Sequence, residues 1–164
     1  MQSGTKWSRV VCTVNAEGTC ALFFGEHYHS VDEKGRIILP AKFREAFADG
    51  LFITKSFDNC LLVYTKKDWF EIVEKINSLP TTKASVRNYQ RFFIGSAVEG
   101  EVSRQGRISI AQNLRDFAAL DKDIVIVGLA NKIEIWEKEK YEEHIAGAEQ
   151  AAAEIAEEIA EFGV

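Results

Sequence analysis

Polar and apolar residues alternate along two short runs, EHYHSV at 26–31 and RIIL at 36–39, and this period predicts two strands. The residues between them, DEKG at 32–35, predict the loop of a hairpin. Gly35 supplies the positive φ that such a loop commonly needs, and Asp32 can accept hydrogen bonds from the amides of its own turn.

A helical period follows the hairpin. Pro40 fits the first turn of a helix, and Phe43 with Phe47 gives that helix an apolar stripe. LFITKS and CLLVYT then predict a second strand pair that turns at FDN. A longer closing helix is predicted from apolar residues at helical spacing, namely Trp69, Ile72, Val73 and Ile76. The predicted order is β-β-α-β-β-α.

The whole pattern occurs twice. DEKGRIILPAKFREAF at 32–47 returns as SRQGRISIAQNLRDFA at 103–118, a shift of 71 residues. The identical or similar pairs are Gly35/Gly106, Arg36/Arg107, Ile37/Ile108, Leu39/Ile110 and Arg44/Arg115. At a shift of 72, residues 60–69 match 132–141 and 52–55 match 124–127. Two copies are too few for a solenoid and favour two halves related by a pseudo-two-fold axis, in an α+β fold.

The second copy indicates which side of the hairpin faces the core. Ile37 and Leu39 stay apolar in both copies, so we expect them inside. Arg36 and Arg107 alternate with these apolar residues along the strand, so we expect them on the outer face, where they can touch a partner. The alternative is that each arginine only pairs with a nearby acid, such as Asp32 in the first copy.

Length and composition allow one compact core or two small fused ones, because the 164 residues are 46% hydrophobic. No run reaches the roughly 18 apolar residues of a membrane span, and the apolar patch at residues 10–12 is too short for a signal peptide. We therefore expect a cytoplasmic protein. Cys12, Cys20 and Cys60 lack CxxC spacing, so reduced, structurally ordinary thiols are expected.

The net charge of −5 is unevenly distributed. Residues 1–140 hold all 20 Lys and Arg and 18 of the acids, whereas residues 141–164 hold seven Glu and no Lys or Arg. A basic surface on the repeats is therefore compatible with the acidic total.

Four stretches carry a family resemblance: GEHYHSVDEKGRIILPAKFRE, CLLVYTKKDW, RFFIGSAVEGEVSRQGRISIAQNLRDFAALDKDIVIVG and KIEIW. In order, from about residue 22 to about residue 141, they resemble the MraZ family of bacterial transcriptional regulators, which are built from two AbrB-like (SpoVT-AbrB) swapped-hairpin modules. The resemblance implies a DNA-binding protein that forms ring-like homo-oligomers of more than two chains. It also implies short G-rich direct repeats as targets, upstream of the division and cell wall gene cluster, with repression of that cluster and a nucleoid-associated location.

The resemblance further implies which residues contact double-stranded DNA: Lys34 and Arg36 in the first hairpin, and Arg107 in the second, with Arg104 and Gln105 beside it. A guanidinium can take guanine O6 and N7 together, whereas lysine mainly neutralises phosphate. The turns would be oriented by Asp32, Gly35 and Gly106.

The second copy departs from the family pattern. Ser103 replaces the aspartate, and Ala111 and Gln112 replace Pro40 and Ala41. These departures predict a less rigid second hairpin with a smaller share in recognition.

Other chemistry is weakly indicated. His27 and His29 share one strand face but lack further ligands, so no metal, cofactor or small-molecule substrate is expected. GxSxG, Walker A, HExxH and GxGxxG are absent, which argues against an enzyme. The alternative function is an AbrB-like oligomeric protein-interaction module without specific DNA readout.

The predicted organisation has four parts. Residues 1–21 form an extension without a repeat counterpart, either poorly ordered or a misplaced translation start. Residues 22–80 form the first module with its closing helix, 81–141 the linking helix and second module, and 142–164 an acidic helical tail.

The sequence allows more than one role for two helical surfaces outside the hairpins. On the linking helix, Lys83, Arg87 and Arg91 form a basic stripe that either is simply solvated or contacts phosphate or another subunit. The tail carries a short heptad-like seam, which predicts packing on its own ring or a neighbouring subunit, with a frayed tail as the alternative. The seam residues are Tyr141, Ile145, Ala148, Ala152, Ile155, Ile159 and Phe162.

Overall fold

The computed structural model describes residues 13–14 and 20–164. A short pair of strands, β1 (Thr13–Val14) and β2 (Cys20–Ala21), precedes the repeats. The rest of the predicted N-terminal extension, 1–12 and 15–19, lies outside the described residues.

Both modules follow the predicted order of elements. The first contains β3 (Phe23–Ser30), β4 (Arg36–Ile38), α1 (Ala41–Arg44) continued by a 3-10 turn (Glu45–Phe47), β5 (Leu51–Lys55), β6 (Leu61–Thr65) and α2 (Lys66–Asn77). The second contains α3 (Ala84–Phe93), β7 (Val98–Gly100), β8 (Arg107–Ser109), α4 (Gln112–Phe117), β9 (Asp123–Ala130), β10 (Lys132–Glu137), α5 (Lys138–Gln150) and α6 (Ala152–Ala160). The linking helix α3 and the tail helices are thus present as predicted.

The two modules share one antiparallel sheet of six strands, in the order β3-β9-β10-β6-β5-β7. Its centre is the pairing of β6 with β10, where Val63 lies opposite Ile133 and Leu61 opposite Ile135. Because residues 61 and 63 correspond to 133 and 135 at a shift of 72, this pairing maps onto itself when the modules are exchanged. The pseudo-two-fold axis therefore passes between these two strands.

The local hairpin pairing predicted from the sequence is wrong. β3 pairs along its whole length with β9 of the other module, and β4 pairs with β8, with Ile37 opposite Ile108. Only the Val31–Ile37 bridge joins the two predicted hairpin strands. The exchange places both repeat motifs in one two-stranded ribbon, β4–β8, and this is the swapped arrangement of the AbrB-like fold.

The main core lies between the ribbon and one face of the sheet. Ile37, Leu39 and their repeat partners Ile108 and Ile110 are all at most 3% exposed. They pack with β-strand residues from both modules, and Phe43 and Phe47 close the same cluster. The residues expected inside the hairpin are therefore confirmed as core.

Helices cover the opposite face of the sheet. Over the first module, α2 and α3 carry a stack in which Trp69 lies 5.1 Å from Phe52 and 5.4 Å from Phe93 between ring centroids. Over the second module, Tyr141 of α5 packs edge-on against Trp136 at 5.7 Å. Thr65 caps α2 by accepting a hydrogen bond from the Asp68 amide, as an N-cap threonine should.

One repeat alignment from the sequence is off by a residue. Residues 52–55 matched 124–127 at a shift of 72, but β5 corresponds to β9 at a shift of 73. The core residues Leu51 and Ile53 take the places of Ile124 and Ile126, and Ile53 pairs with Val63 as Ile126 pairs with Ile135. A strand changes face at every residue, so a slip of one would have turned the apolar side away from the core.

Pro40 differs from expectation in detail. Pro40 precedes α1 as its N-cap, with ψ of 134°, and Ala111 adopts nearly the same conformation before α4. The tail seam is buried only at its start, where Tyr141 is buried and Ile145 half-buried, whereas Ile155, Ile159 and Phe162 are exposed. Among the described residues no helix is both long and apolar enough to cross a membrane.

Candidate nucleic-acid interface

The outer face of the β4–β8 ribbon brings the two repeat arginines together. Arg36 lies opposite Ser109, and Arg107 lies opposite Ile38, so the two arginines are diagonal neighbours across the ribbon. Both are half-buried, whereas Ile38 and Ser109 between them are exposed. The face is thus a small, nearly two-fold surface with one guanidinium toward each end.

The first turn, 32–35, is held by Asp32. Its Oδ1 accepts hydrogen bonds from the amides of Lys34 and Arg36, both at 2.9 Å, and its Oδ2 accepts one from Arg36 Nε at 2.8 Å. The Arg36 amide, then the guanidinium and the Lys34 amide, hold the pKa of the Asp32 carboxyl below its usual value. The carboxylate therefore stays ionised and fixes both the turn and the direction of Arg36.

The ion pair with Asp32 leaves most of the Arg36 guanidinium available to a partner. Arg36 uses only Nε–H on Asp32, and four of the five guanidinium N–H groups, those on Nη1 and Nη2, remain available for a planar acceptor such as guanine. The pairing of Arg36 with an acid, considered above as an alternative to partner contact, is thus present but compatible with such contact.

The second turn, 103–106, has the same backbone bonds with a weaker side chain. The Ser103 amide donates a hydrogen bond to the Arg107 carbonyl at 2.8 Å, just as the Asp32 amide donates to the Arg36 carbonyl at 2.9 Å. Ser103 Oγ accepts from the Arg107 amide at 3.1 Å. Within the described part of the chain the Arg107 guanidinium makes no hydrogen bond. The serine therefore preserves the turn but leaves Arg107 unfixed.

Two arginines that the sequence assigned no role cross between the modules. Arg44 of α1 lies against Gly106 of the second turn, and Arg115 of α4 lies against Gly35 of the first. Both glycines have positive φ, 75° and 77°, and a Cβ on either would overlap the opposing guanidinium. Each turn is thus packed against the helix of the other module. The match of Arg44 with Arg115 in the repeat was the available signal.

The two crossed arginines differ in their bonding. Arg44 Nε donates to the Leu39 carbonyl at 3.0 Å. Arg115 instead donates from Nη2 to Gln112 Oε1 at 2.6 Å, and its Nε is buried without a hydrogen-bond partner among the described residues. Asp32 therefore holds the first turn by hydrogen bonds, whereas Arg44, which is itself bonded to the Leu39 carbonyl, packs on the second turn.

The remaining candidate contacts are exposed side chains on the two turns: Lys34 on the first, and Arg104 and Gln105 on the second. Together with Arg36 and Arg107 they surround the outer face of the ribbon. The arrangement can offer two guanidinium groups to base edges and flanking cations to phosphate.

The other candidate sites bring fewer functional groups together. No group of three or more His, Cys, Asp or Glu suited to a metal occurs in the residues that the structure describes. Arg87 is turned onto the carbonyls of Thr81 and Thr82, and Arg91 onto Asn88, so the basic stripe of α3 is partly engaged in its own loop. Burial raises the pKa of the Cys60 thiol to about 12, which makes it unreactive at neutral pH.

Comparison with known proteins decides the family. The family model described as "MraZ protein, putative antitoxin-like" matches residues 22–92 and again residues 93–162. The chain belongs to the MraZ family. The second MraZ match extends through the acidic tail, beyond the limit near residue 141 that the sequence resemblance suggested.

Several MraZ relatives match over most of their length. A protein of Natranaerobius thermophilus named transcriptional regulator MraZ is 48% identical over 143 residues, covering 87% of this chain and all of that protein. Proteins with the same name from Acetivibrio thermocellus and Desulforamulus reducens are 45% and 46% identical, covering 87% and 86% of this chain and 100% and 99% of their own.

Proposed function

We propose that the chain is a sequence-specific DNA-binding transcriptional regulator, as the names of its relatives suggest. The observation that carries the proposal is the outer face of the ribbon, where Arg36 and Arg107 lie close together, with Lys34 and Arg104 on the turns at its ends. A two-stranded ribbon is one of the elements that the major groove of DNA admits.

The dimensions of the ribbon support this use. The Leu39 amide donates a hydrogen bond to the Gly106 carbonyl, so Gly106 lies beside Leu39, four residues along the strand from Gly35. At the usual rise per residue the two glycine turns are therefore roughly 13 Å apart. The major groove of B-form DNA is about 12 Å wide. The arginines would then face base edges while Lys34 and Arg104 lie near the phosphates.

We propose that the first turn has the larger role in reading bases, because Asp32 orients Arg36. A guanidinium that is already oriented loses less freedom when it binds guanine, so Arg36 is proposed as the principal base contact. Arg107, with Arg104 and Gln105, is proposed as the second, weaker contact, because Ser103 does not orient it.

The proposed targets are short G-rich direct repeats upstream of the division and cell wall gene cluster, with repression as the outcome. Direct repeats suit a closed ring of more than two chains, because successive subunits meet successive DNA boxes in the same orientation. The exposed apolar face of α6, with Ile155, Ile159 and Phe162, supports such assembly. A cytoplasmic, nucleoid-associated location and the absence of catalysis belong to the same proposal.

The test is binding to a duplex from upstream of the chain's own gene and to a scrambled duplex of equal length, measured by fluorescence anisotropy at several salt concentrations. We expect tighter binding to the first duplex throughout, and for both a loss of affinity as salt rises. Equal affinity for the two duplexes would refute specific readout and favour the protein-interaction module.

A further inference from the structure

The two modules differ in what covers the helical face of their shared sheet, the face opposite the ribbon. In the first module α2 is followed by α3, whose Phe93 stacks on Trp69 at 5.4 Å and accepts a hydrogen bond from Thr54 of β5 at its carbonyl. In the second module α5 repeats α2, because 66–77 corresponds to 138–149 at a shift of 72. The next helix, α6, continues α5 instead of packing beside it on the sheet.

This difference leaves apolar side chains exposed on the second module. Phe24 and Tyr28 of β3 are 57% and 53% exposed, and Leu129 of β9, directly opposite Phe24, is 40% exposed. They share the helical face with Glu26, which accepts a hydrogen bond from the Tyr141 hydroxyl of α5 at 2.7 Å. We call Phe24, Tyr28 and Leu129 the β3–β9 patch.

A lysine beside the patch has lost the carboxylate that its repeat equivalent holds. In the first module Lys66 pairs with Glu99 at 2.7 Å. Their equivalents at shifts of 72 and 71 are Lys138 and Tyr28, and the Lys138 ammonium lies 6.0 Å from the centroid of the Tyr28 ring. Lys138 forms no ion pair within the part of the chain that the structure describes. The patch therefore combines apolar side chains with a cation that an acidic partner can pair.

Helix α6 has the complementary surface. Ile155 and Ile159 are exposed on one side of it, and Phe162, in the turn that follows, is 83% exposed. Residues 154–161 also include four glutamates and no Lys or Arg, which suits Lys138.

The lengths of the two surfaces match as well. The nine residues of α6 make a helix about 13 Å long. The patch runs along four residues of strand, from Phe24 to Tyr28, which is also about 13 Å.

The connection before α6 is too short for α6 to turn back over its own patch. In the first module residues 78–83 separate α2 from α3 and allow the chain to reverse. Between α5 and α6 lies Ala151 alone. The Ala151 amide donates to the Gly147 carbonyl at 3.1 Å, and the Ile155 amide donates to the Ala151 carbonyl at 3.0 Å, so helical bonding passes through the junction. A second copy of the chain is then the source of the helix that fits the patch.

We propose that α6 of one chain packs on the β3–β9 patch of a neighbouring copy, in the place that α3 takes on the first module. The inference rests on the proposed ring and deepens it by naming the two surfaces that meet. Because these surfaces differ, each chain donates one tail and accepts another. Such a head-to-tail contact closes into a ring when its rotation permits.

Disulfide cross-linking of the full chain tests the contact directly. Cys12→Ser and Cys20→Ser leave only Cys60, which is buried. In this background, Leu129→Cys combined with Ile159→Cys should give covalent multimers of two chains and upward after mild oxidation, seen on a non-reducing gel. The matched control replaces Ile159→Cys by Ala153→Cys, on the side of α6 away from Ile159, and should give single chains.

A second measurement does not depend on cross-linking. Phe24→Ser combined with Leu129→Ser removes two apolar side chains from the patch, so the dissociation constant between subunits should rise about tenfold or more. Light scattering over a dilution series measures this change, and circular dichroism checks the fold. Leu79→Ser is the control, because Leu79 is 44% exposed in the connection between α2 and α3, away from the patch. It should leave the mass unchanged.

Several results would overturn the inference while leaving the ring and DNA binding intact. These are a disulfide within single chains, which would place α6 on its own patch, control multimers as abundant as those of the test pair, and an unaltered subunit affinity of the patch variant. A wild-type mass of one chain would refute both the ring and this contact. Loss of DNA binding by the wild-type protein, with the cross-link present, would instead refute only the proposed DNA-binding function.

Discussion

Arg36 and Arg107 occupy equivalent places in the ribbon but differ in what holds them, and this difference is testable. A lost bidentate guanine contact should cost about 1–3 kcal/mol of binding free energy. We expect Arg36→Ala to show the larger loss, because Asp32 orients that guanidinium, and Arg107→Ala the smaller one. Binding is best measured on a single box and on the full array, because avidity multiplies losses in a ring.

Lys34→Ala is the matched comparison for these two variants. Lys34 is exposed on the same turn, and a phosphate contact should weaken all sequences alike and lower the salt slope by about one unit. All three variants should unfold at the wild-type temperature, because none of the side chains contributes to the core. Unchanged affinity of both arginine variants at moderate salt would refute readout by the ribbon and redirect attention to Lys83, Arg87 and Arg91.

Gly106 is a second residue with a definite prediction. Gly106→Ala should destabilise the fold by about 1–3 kcal/mol, because the residue has a φ of 77° and the new Cβ would overlap Arg44. Chemical denaturation measures the change. Gly147→Ala is the control: nothing lies within 4 Å of its Cβ position in helix α5, so alanine should stabilise by about 0.5–1 kcal/mol.

The part of the Gly106 effect that comes from Arg44 can be isolated by a double-mutant cycle. In an Arg44→Ala background the overlap disappears and only the backbone strain remains, so the cost of Gly106→Ala should fall. Purely additive costs would mean that the guanidinium does not pack on the turn in solution.

At the scale of elements, the tail helix α6 has an apolar face that is exposed and has no partner among the described residues. Ile155 and Ile159 are 37% and 40% exposed, and by helical spacing they lie on one side with Ala152. If this face joins subunits, Ile155→Asp combined with Ile159→Asp should lower the mass measured by light scattering at micromolar concentration.

Ala153→Asp provides the control for the tail, because it adds negative charge to α6 on the side away from the seam. It should leave the mass unchanged. A wild-type mass equal to one chain would refute the ring, and an unaltered mass of the double variant would exclude the tail from its interfaces.

At the scale of the whole molecule, we expect that neither module folds alone. Within 22–80, β3 has lost its partner β9, β4 its partner β8, and β6 its partner β10. A fragment of residues 21–80 should therefore expose Ile37, Leu39 and Phe43 and show no cooperative melt as a monomer. Circular dichroism during heating, with the fragment's mass measured in parallel, tests this. A stable folded monomer would show that one module suffices.

The sequence alone determined the elements, the core and the repeat. Period-two runs, helical spacing and the Gly turns predicted the order β-β-α-β-β-α in both halves, and the shared phase of Ile37 with Ile108 predicted the side that is buried. These features depend on contacts within a few residues, or on comparison of the two copies, and both can be seen in the order of residues. The assignment of Lys34, Arg36, Arg104, Gln105 and Arg107 to DNA contact stays a prediction.

The family resemblance implied swapped hairpins, which the structure confirms, but the specific strand partners were decided by the tertiary structure. A hairpin and a swapped pair satisfy the same alternation of faces. The choice depends on burial between segments that lie about 70 residues apart for β4 and β8 and about 100 residues apart for β3 and β9. For the same reason the packing of Arg44 on Gly106 could not be seen in the sequence. That contact joins two distant segments across the pseudo-two-fold axis, and the spacing of residues within one segment carries no information about such a contact.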